Sequence, residues 1–391
     1  LKQVQQANMA DVLEQVWLHR NISRVELVER TGLTSGTITN LTHELIKQEV
    51  IREYESVSGS VGRKRVMLGF DLRKYRLLGL DIGRASVCIV VVDLDGTIVS
   101  SIAQDMSGPR GQGGPEAYMQ VIEPLLLGVK RELEASGHAV LGLGVGVPGP
   151  MDWEAGVLLE PPNFPGWSGF PIKQRMEQLS GLPTIIDDDA RTSALAERWY
   201  GLGRSAQNLV FITMGIGIGG GVISEGRIVR GENGLCGQVG HMTIEVDGRL
   251  CACGNYGCWE TVGSIPGILR RWSGGETMDE LIAAIARGEP EAKRCMEQTL
   301  RYLETALVNV CNLYDPEWVV LGGKLYEYLA DYMEPVQERL SSRLYAFTKD
   351  RMRVKPSTFG ATQSAVGAAS MLFARLVAEP MAMLAAKEQT T

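Results

Sequence analysis

Between Gly231 and Glu260 the chain reads GENGLCGQVGHMTIEVDGRLCACGNYGCWE, which sets His241 a short way ahead of Cys251, Cys253 and Cys258 in a C-x-C-x4-C pattern. Three thiolates and one imidazole are the donor set of a closed tetrahedral Zn²⁺ site, with no coordination position left for a catalytic water. Gly254 and Gly257 lie inside the cluster, where a chain that folds three sulfurs around one ion needs turns that side chains obstruct. Two plainer readings compete: buried free thiols, since cysteine is among the most buried residue types, and a disulfide, for which C-x-C spacing is awkward. The upstream imidazole favours the metal, so structural zinc held by His241, Cys251, Cys253 and Cys258 is expected.

Two further stretches carry chemistry. Asp187, Asp188 and Asp189 end an apolar strand at the point where a helix from Ala190 to Gly201 begins. Carboxylates there suit a general base or a hydroxyl-binding site, but acidic residues also stabilise a helix N-terminus by capping alone. The run Gly215 to Gly221 has the composition of a phosphate-binding loop, although a lone glycine run is often no more than a tight turn.

The elements that position these groups follow from patterning. Apolar Met9, Val12, Leu13, Val16 and Trp17 recur at helical spacing. Ser23 and Glu26 form a capping-box pair that opens a short helix. Thr31-Gly32-Leu33 is a tight turn, and Ser35 to about Gln48 is a third helix with Ile38, Leu41, Leu45 and Ile46 on its core face. This is a helix-turn-helix order, in which Ser35, Thr37, Thr39 and Asn40 stand at the exposed start of the last helix, as small donors and acceptors suited to base edges and phosphates. Strands at 51–57 and 63–70 then flank a glycine-serine turn, and Arg63, Lys64 and Arg65 at its tip are cations placed to reach a DNA backbone. A generic helical bundle with a solvated charged loop is the plainer alternative.

Composition agrees with this division. The 391 residues are 45% hydrophobic and 22% charged, enough for two or three domains with a sizeable core. The net charge is −7, yet the first 76 residues carry a surplus of about three positive charges, leaving about ten negative on the rest. An odd number of cysteines, three of them in the cluster, leaves Cys88, Cys236, Cys295 and Cys311 as reduced thiols and points to the cytoplasm. No apolar run approaches the ~20 residues of a membrane span, so no membrane insertion is expected.

The central stretch resembles the signature of the ROK family, which holds both sugar kinases and sugar-responsive repressors. GxxGxxGxxGH followed by CxCGxxGCxE is matched there, with support from DIGRASV at Asp81, GVGVPGP at 144–150, IDDDARTSALAE at 186–197 and GIGIGGG at 215–221. The resemblance implies an α/β fold: an N-terminal winged helix-turn-helix followed by a two-lobed actin-like ATPase (sugar kinase) fold. Its domains would be 1–70 for DNA binding, a linker at 71–76, a first lobe at 77–195 with a returning helix at 361–377, a second lobe with the zinc site at 196–360, and a tail at 378–391. It also implies a sugar site of Asn163, Asp188, Asp189, Gln238, His241 and Glu260, His241 serving metal through one ring nitrogen and sugar through the other. Asp189 takes the position of the kinase general base, Asp188 and Arg191 stand where the kinases have Asn, and Gln238 where they have Glu.

The departures decide between the branches. Arg84 and Ala85 replace the Gly and Thr of the first kinase phosphate loop, and Ile216 removes the Thr of the second, so phosphoryl transfer is not expected. The resemblance therefore points to a non-enzymatic, sugar-responsive repressor that binds operator DNA as a homodimer or homotetramer and takes a sugar or sugar phosphate as effector. An active hexose kinase with an added DNA-binding arm is the alternative from a different class. Control by a protein partner, known within the family, is a third.

Overall fold

The computed structural model describes residues 2–55, 66–108, 113–162, 164–204, 206–346 and 351–388. Helix α1 (Lys2–His19) leads through strand β1 (Ile22–Ser23) into α2 (Arg24–Thr31) and α3 (Ser35–Lys47). The capping box is formed: the Glu26 carboxylate accepts from the backbone N–H of Ser23 at 2.8 Å, and the Ser23 hydroxyl accepts from that of Glu26 at 3.3 Å. Gly32 closes α2 in the left-handed region at φ 70°, which gives the turn before α3. Strands β2 (Ile51–Glu55) and β3 (Val66–Phe70) pair antiparallel, and β1 adds to the free edge of β3 in the order β1-β3-β2. The two-residue β1 was not legible in the sequence. In α3 the core face is Ile38, Leu41, Thr42 and Leu45, while Ile46 is only half-buried.

Strands β4 (Tyr75–Ile82), β5 (Ser86–Val92) and β6 (Ile98–Asp105), helix α4 (Gly114–Ala135) and strand β7 (Ala139–Val147) follow. After them come a short hairpin β8 (Met151–Asp152) and β9 (Val157–Leu158), helix α5 (Ile172–Ser180), strand β10 (Thr184–Asp188) and helix α6 (Asp189–Trp199). The first sheet runs β10-β7-β4-β5-β6. A second sheet uses β11 (Leu209–Met214), β12 (Ile218–Ser224) and β13 (Arg227–Ile228), then β14 (Trp318–Gly322) and β15 (Arg353–Pro356), in the order β13-β12-β11-β14-β15. Between β13 and β14 lie α7 (Trp259–Gly263), α8 (Ile265–Arg271), α9 (Met278–Ala286) and the long α10 (Pro290–Tyr314). Helices α11 (Lys324–Leu329) and α12 (Met333–Arg343) precede β15, and α13 (Gln363–Ala378) and α14 (Pro380–Glu388) follow it.

Two compact units result, Leu1–Val145 with Ile172–Ile186 and Ala368–Thr391, and Gly146–Pro171 with Asp187–Gly367. The division falls at 186/187, where the sequence division had put a lobe boundary at 195/196, inside α6; residues 146–171 join the second unit. In the first unit the N-terminal segment is tied to the sheet that follows it. The Tyr75 hydroxyl donates to the Gln48 carbonyl at 2.9 Å, and Phe70 meets Phe373 of α13 edge to face at 5.2 Å between ring centroids. The second unit closes around Val210, Ile212, Val319 and Leu321 of its sheet and Trp259, Leu303 and Leu307 of its helices, all buried.

Helix α13 begins in the second unit and ends in the first, and two glycines mark how closely it is packed. A Cβ on Gly367 would lie 1.7 Å from the Thr192 carbonyl oxygen of α6, and one on Gly144 of β7 would lie 1.8 Å from that of Ala368. Within the expected tail at 378–391, residues 380–388 are helical. Alanine, methionine and leucine give this stretch good helix propensity. It forms α14, buries Met383 and Leu384, and packs against α1.

Candidate metal centre and ligand site

The cluster residues sit on irregular backbone held by short-range pairing. Isolated bridges join Thr243 to Cys258 and Leu250 to Tyr256, and the Trp259 N–H donates to the Met242 carbonyl at 2.8 Å. Gly257, at φ 66°, permits the crossing: a Cβ there would lie 1.6 Å from the Glu245 carbonyl oxygen. The four donor atoms of His241, Cys251, Cys253 and Cys258 all lie within 4.8 Å of one another. His241 Nδ1 is 3.6 Å from Cys251 Sγ, and Cys253 Sγ is 3.7 Å from Cys258 Sγ. A tetrahedral ion with Zn–S of about 2.3 Å and Zn–N of about 2.0–2.1 Å has edges of about 3.8 Å between sulfurs and about 3.6 Å from sulfur to nitrogen.

Both spacings fit that tetrahedron, and 3.7 Å is far beyond the ~2.05 Å of a disulfide. Burial pushes the Cys258 thiol up to about 12, with the neighbouring Cys253 and Cys251 adding to the effect. Thiolates so placed need a cation beside them, which is what the donor set would hold. Use of Nδ1 leaves Nε2 of His241 for a second partner, as the sequence reading required.

The metal cluster is coupled directly to the proposed ligand residues. Cys258 is the N-cap of α7, and Glu260, two residues on, accepts from the Ile218 N–H at 2.8 Å. Strand β12, which starts at Ile218, serves as a common backing. A Cβ on Gly221 would lie 2.6 Å from the Ala190 carbonyl oxygen of α6, and one on Gly220 would lie 2.7 Å from that of Gly237. The glycine run is therefore mostly strand, kept bare so that α6 and the 237–240 turn approach it; only Gly215-Ile216-Gly217 remains a loop, with the Ile216 side chain 43% exposed. Asp188, Asp189, Gln238, His241 and Glu260 all belong to the second unit, on the elements packed around this strand.

Asp188 has a structural role as well as its expected place in the sugar site. It is 6% exposed and caps α6: Oδ1 accepts from the N–H groups of Ala190 at 3.0 Å and Arg191 at 3.3 Å, and Oδ2 from that of Gly149 at 3.1 Å. Its pKa is nevertheless raised to about 6, by burial first and then by the charges of Asp189 and Asp187. The capping role weighed in the sequence is thus one that its oxygens perform. Asp189, at the first position of α6, is half-exposed, as are Gln238, His241 and Glu260. Asn163 lies outside the described residues.

At the start of α3, Ser35, Thr39 and Asn40 are exposed, but two hydroxyls are engaged locally. Thr37 Oγ1 is 2.9 Å from that of Thr34, the N-cap, and Thr39 Oγ1 donates to the Ser35 carbonyl at 2.9 Å. Ser35 and Asn40 make no side-chain hydrogen bond among the described residues. Arg63, Lys64 and Arg65 lie outside them.

Sequence reasoning missed a buried charge cluster beside Asp188. Asp187 is fully buried; its Oδ1 accepts from Arg191 Nε and its Oδ2 from Arg230 Nη2, each at 2.6 Å. The Asp-x-x-x-Arg spacing at i, i+4 across a strand end was the available signal. In the first unit, the Gly83 N–H donates to the Ser86 carbonyl at 2.9 Å across the turn that carries Arg84 and Ala85. No helix among the described residues is long and apolar enough to cross a membrane.

Comparison with known proteins places the chain. It is 26% identical over 372 residues to the xylose repressor of Bacillus subtilis (strain 168), covering 94% of this chain and 95% of that one. The crystal structure of a ROK family transcriptional regulator, a homolog of the E. coli MLC protein, superposes with a TM-score of 0.78 at 26% identity over 98% of this chain and 99% of its own. A ROK family glucokinase from Streptomyces griseus in complex with glucose and AMPPNP superposes with a TM-score of 0.63 at 25% identity, over 98% of its own length but 76% of this chain. The ROK family profile matches residues 77–375, and the chain belongs to that family.

Proposed function

We propose that this protein is a sugar-responsive transcriptional repressor. Residues 1–70 form a winged helix-turn-helix that binds operator DNA, and the ROK body is a sensor that holds a sugar or sugar phosphate. The carrying observation is the helical segment ahead of the family domain, with α3 presenting Ser35, Thr39 and Asn40 at its exposed start. The repressor and regulator relatives extend over that segment, whereas the glucokinase covers 76% of the chain. A helix-turn-helix reads a short half-site, so a dimer, or a tetramer built from dimers, binding a pseudo-palindrome doubles the contact set.

In this reading the sugar hydroxyls are met by Asp189, Gln238, His241 Nε2 and Glu260; Asn163, also expected to contact sugar, lies outside the described residues. Structural zinc on His241 Nδ1, Cys251, Cys253 and Cys258 holds the loop that carries two of these groups. Arg84 and Ala85 in one phosphate loop and an exposed Ile216 in the other leave the body without the hydroxyls that receive phosphates. We expect no ATP-dependent phosphorylation; sugar-dependent ADP release abolished by Asp189→Asn would instead establish a kinase.

The test of the function is reciprocity between two ligands. Xylose, glucose and N-acetylglucosamine, a pentose, a hexose and an amino sugar, are titrated into the protein with and without operator. Coupling of ~1–3 kcal/mol predicts that the inducing sugar weakens operator binding about 5–150-fold, and that operator weakens sugar binding by the same factor. A sugar whose affinity is unchanged by operator is not the effector. Operator binding that survives deletion of residues 1–70 overturns the reading.

A further inference from the structure

Three separate stretches of the second unit meet at one buried carboxylate. Asp187, at the end of β10, accepts from the Asp188 N–H at 2.8 Å and Arg191 Nε at 2.6 Å on one oxygen, and from Arg230 Nη2 at 2.6 Å on the other. Arg191 is 2% exposed, and its Nη1 donates to the Gly234 carbonyl at 2.6 Å. Arg230 stacks its guanidinium over the Trp153 ring, 4.9 Å from the centroid, and a Cβ on Gly234 would lie 3.4 Å from Trp153 Cδ1. The hairpin at Trp153, the start of α6 and the 230–234 turn are thus held together by two cations sharing one anion.

The turn so held leads straight to Gln238 and His241. A buried ion cluster is a poor source of net stability, because desolvation offsets most of the attraction, whereas its directional bonds fix geometry. Arg191 supplies two such bonds in one plane, from Nε and Nη1, a fork that lysine cannot reproduce.

We propose that Arg191 is a positioning and specificity-determining residue of the ligand site: with Asp187 and Arg230 it clamps residues 230–238 against α6, and the clamp sets which sugar Gln238 accepts. The role in specificity rests on the sugar-responsive reading above; the clamp itself does not. Arg191→Lys keeps the charge and loses the fork. Arg191→Asn combined with Asp187→Asn removes both charges together and guards against unfolding by an unpaired buried ion.

Hydrogen exchange and sugar titration of the full chain separate the two claims. Both variants are expected to speed amide exchange across 230–238 while leaving zinc content and sugar-free operator binding at wild-type levels. The affinity for the inducing sugar of the panel should fall by at least about tenfold, the cost of one charge-assisted hydrogen bond. Exchange across 230–238 unchanged in both variants overturns the clamp, whatever the protein binds. Faster exchange with sugar affinity and sugar preference unchanged overturns the role in specificity. Faster exchange in a protein whose wild type binds none of the sugars upholds the clamp and counts against the sugar-responsive reading.

Discussion

Replacing Cys258 by serine removes one of three thiolates from the cluster and, with it, the anchor of the helix that carries Glu260. Structural zinc in Cys/His sites binds with about 10–16 kcal/mol, which corresponds to dissociation constants of roughly 10⁻⁷ to 10⁻¹² M. Two donor spacings, 3.6 and 3.7 Å, match tetrahedral edges and all four donors lie within 4.8 Å of one another, so small local shifts suffice to close them on an ion. At ~10 μM free zinc, mass action then stabilises the second unit by roughly 3–9 kcal/mol. For a unit of about 200 residues, each kcal/mol moves the melting temperature by about 2–4 °C, so chelation should lower it by at least ~6 °C. Metal analysis should find one zinc per chain in the wild type and a small fraction of that in Cys258→Ser. The variant should melt like the chelated wild type and bind the effector more weakly, because the Glu260–Ile218 bond loses its anchor. A full equivalent of zinc in the variant, or a wild-type melting temperature indifferent to chelator, refutes the assignment.

Other outcomes follow from particular side chains. Arg63→Ala or Lys64→Ala should weaken binding to all DNA sequences and lower the salt slope by about one, whereas Asn40→Ala should change base preference, as a competition assay on half-site variants would read out. Thr37→Ala is expected to act mainly on stability, since the Thr37 hydroxyl is turned to Thr34. Asp93 is raised to about 7 by burial and by its hydrogen bond with Asp95. A carboxyl raised in the folded state binds its proton more tightly there than in the unfolded chain, so stability falls as pH climbs from about 4 through 7. Asp93→Asn, which mimics the protonated form, should therefore stabilise the protein at pH 8, with the gain gone near pH 4 in thermal melts; a gain that grows with acidity refutes the sign.

Where local chemistry decided the structure, the sequence was readable. Ser23 with Glu26, the left-handed Gly32 and the apolar spacing of α1 act within a turn or two of chain, and the candidate metal donors declare themselves by residue type and spacing. The glycine run at 215–221 misled for a physical reason. Glycine serves a phosphate loop and a crowded strand equally, and only the approach of α6 and Gly237 tells which. Asp188 was ambiguous in the same way, since a cap and a ligand use the same oxygens until Gly149 is seen to occupy one of them. The cluster of Asp187, Arg191 and Arg230 was hidden because 43 residues separate Asp187 from Arg230. Helix α14 was missed because a nine-residue alanine- and methionine-rich stretch has no use for its apolar side chains until α1 is beside it.

The packing of α14 on α1 also fixes an order in time. Helix α1 is synthesised before the helix that covers part of it, which follows about 360 residues later. At 5–20 residues per second that interval is roughly 20–70 s. Throughout it, every nascent copy displays an α1 whose apolar surface is incompletely covered. A product that lacks residues 380–388 carries the same exposed surface permanently. The finished N-terminal segment thus depends on two stretches far apart in the chain.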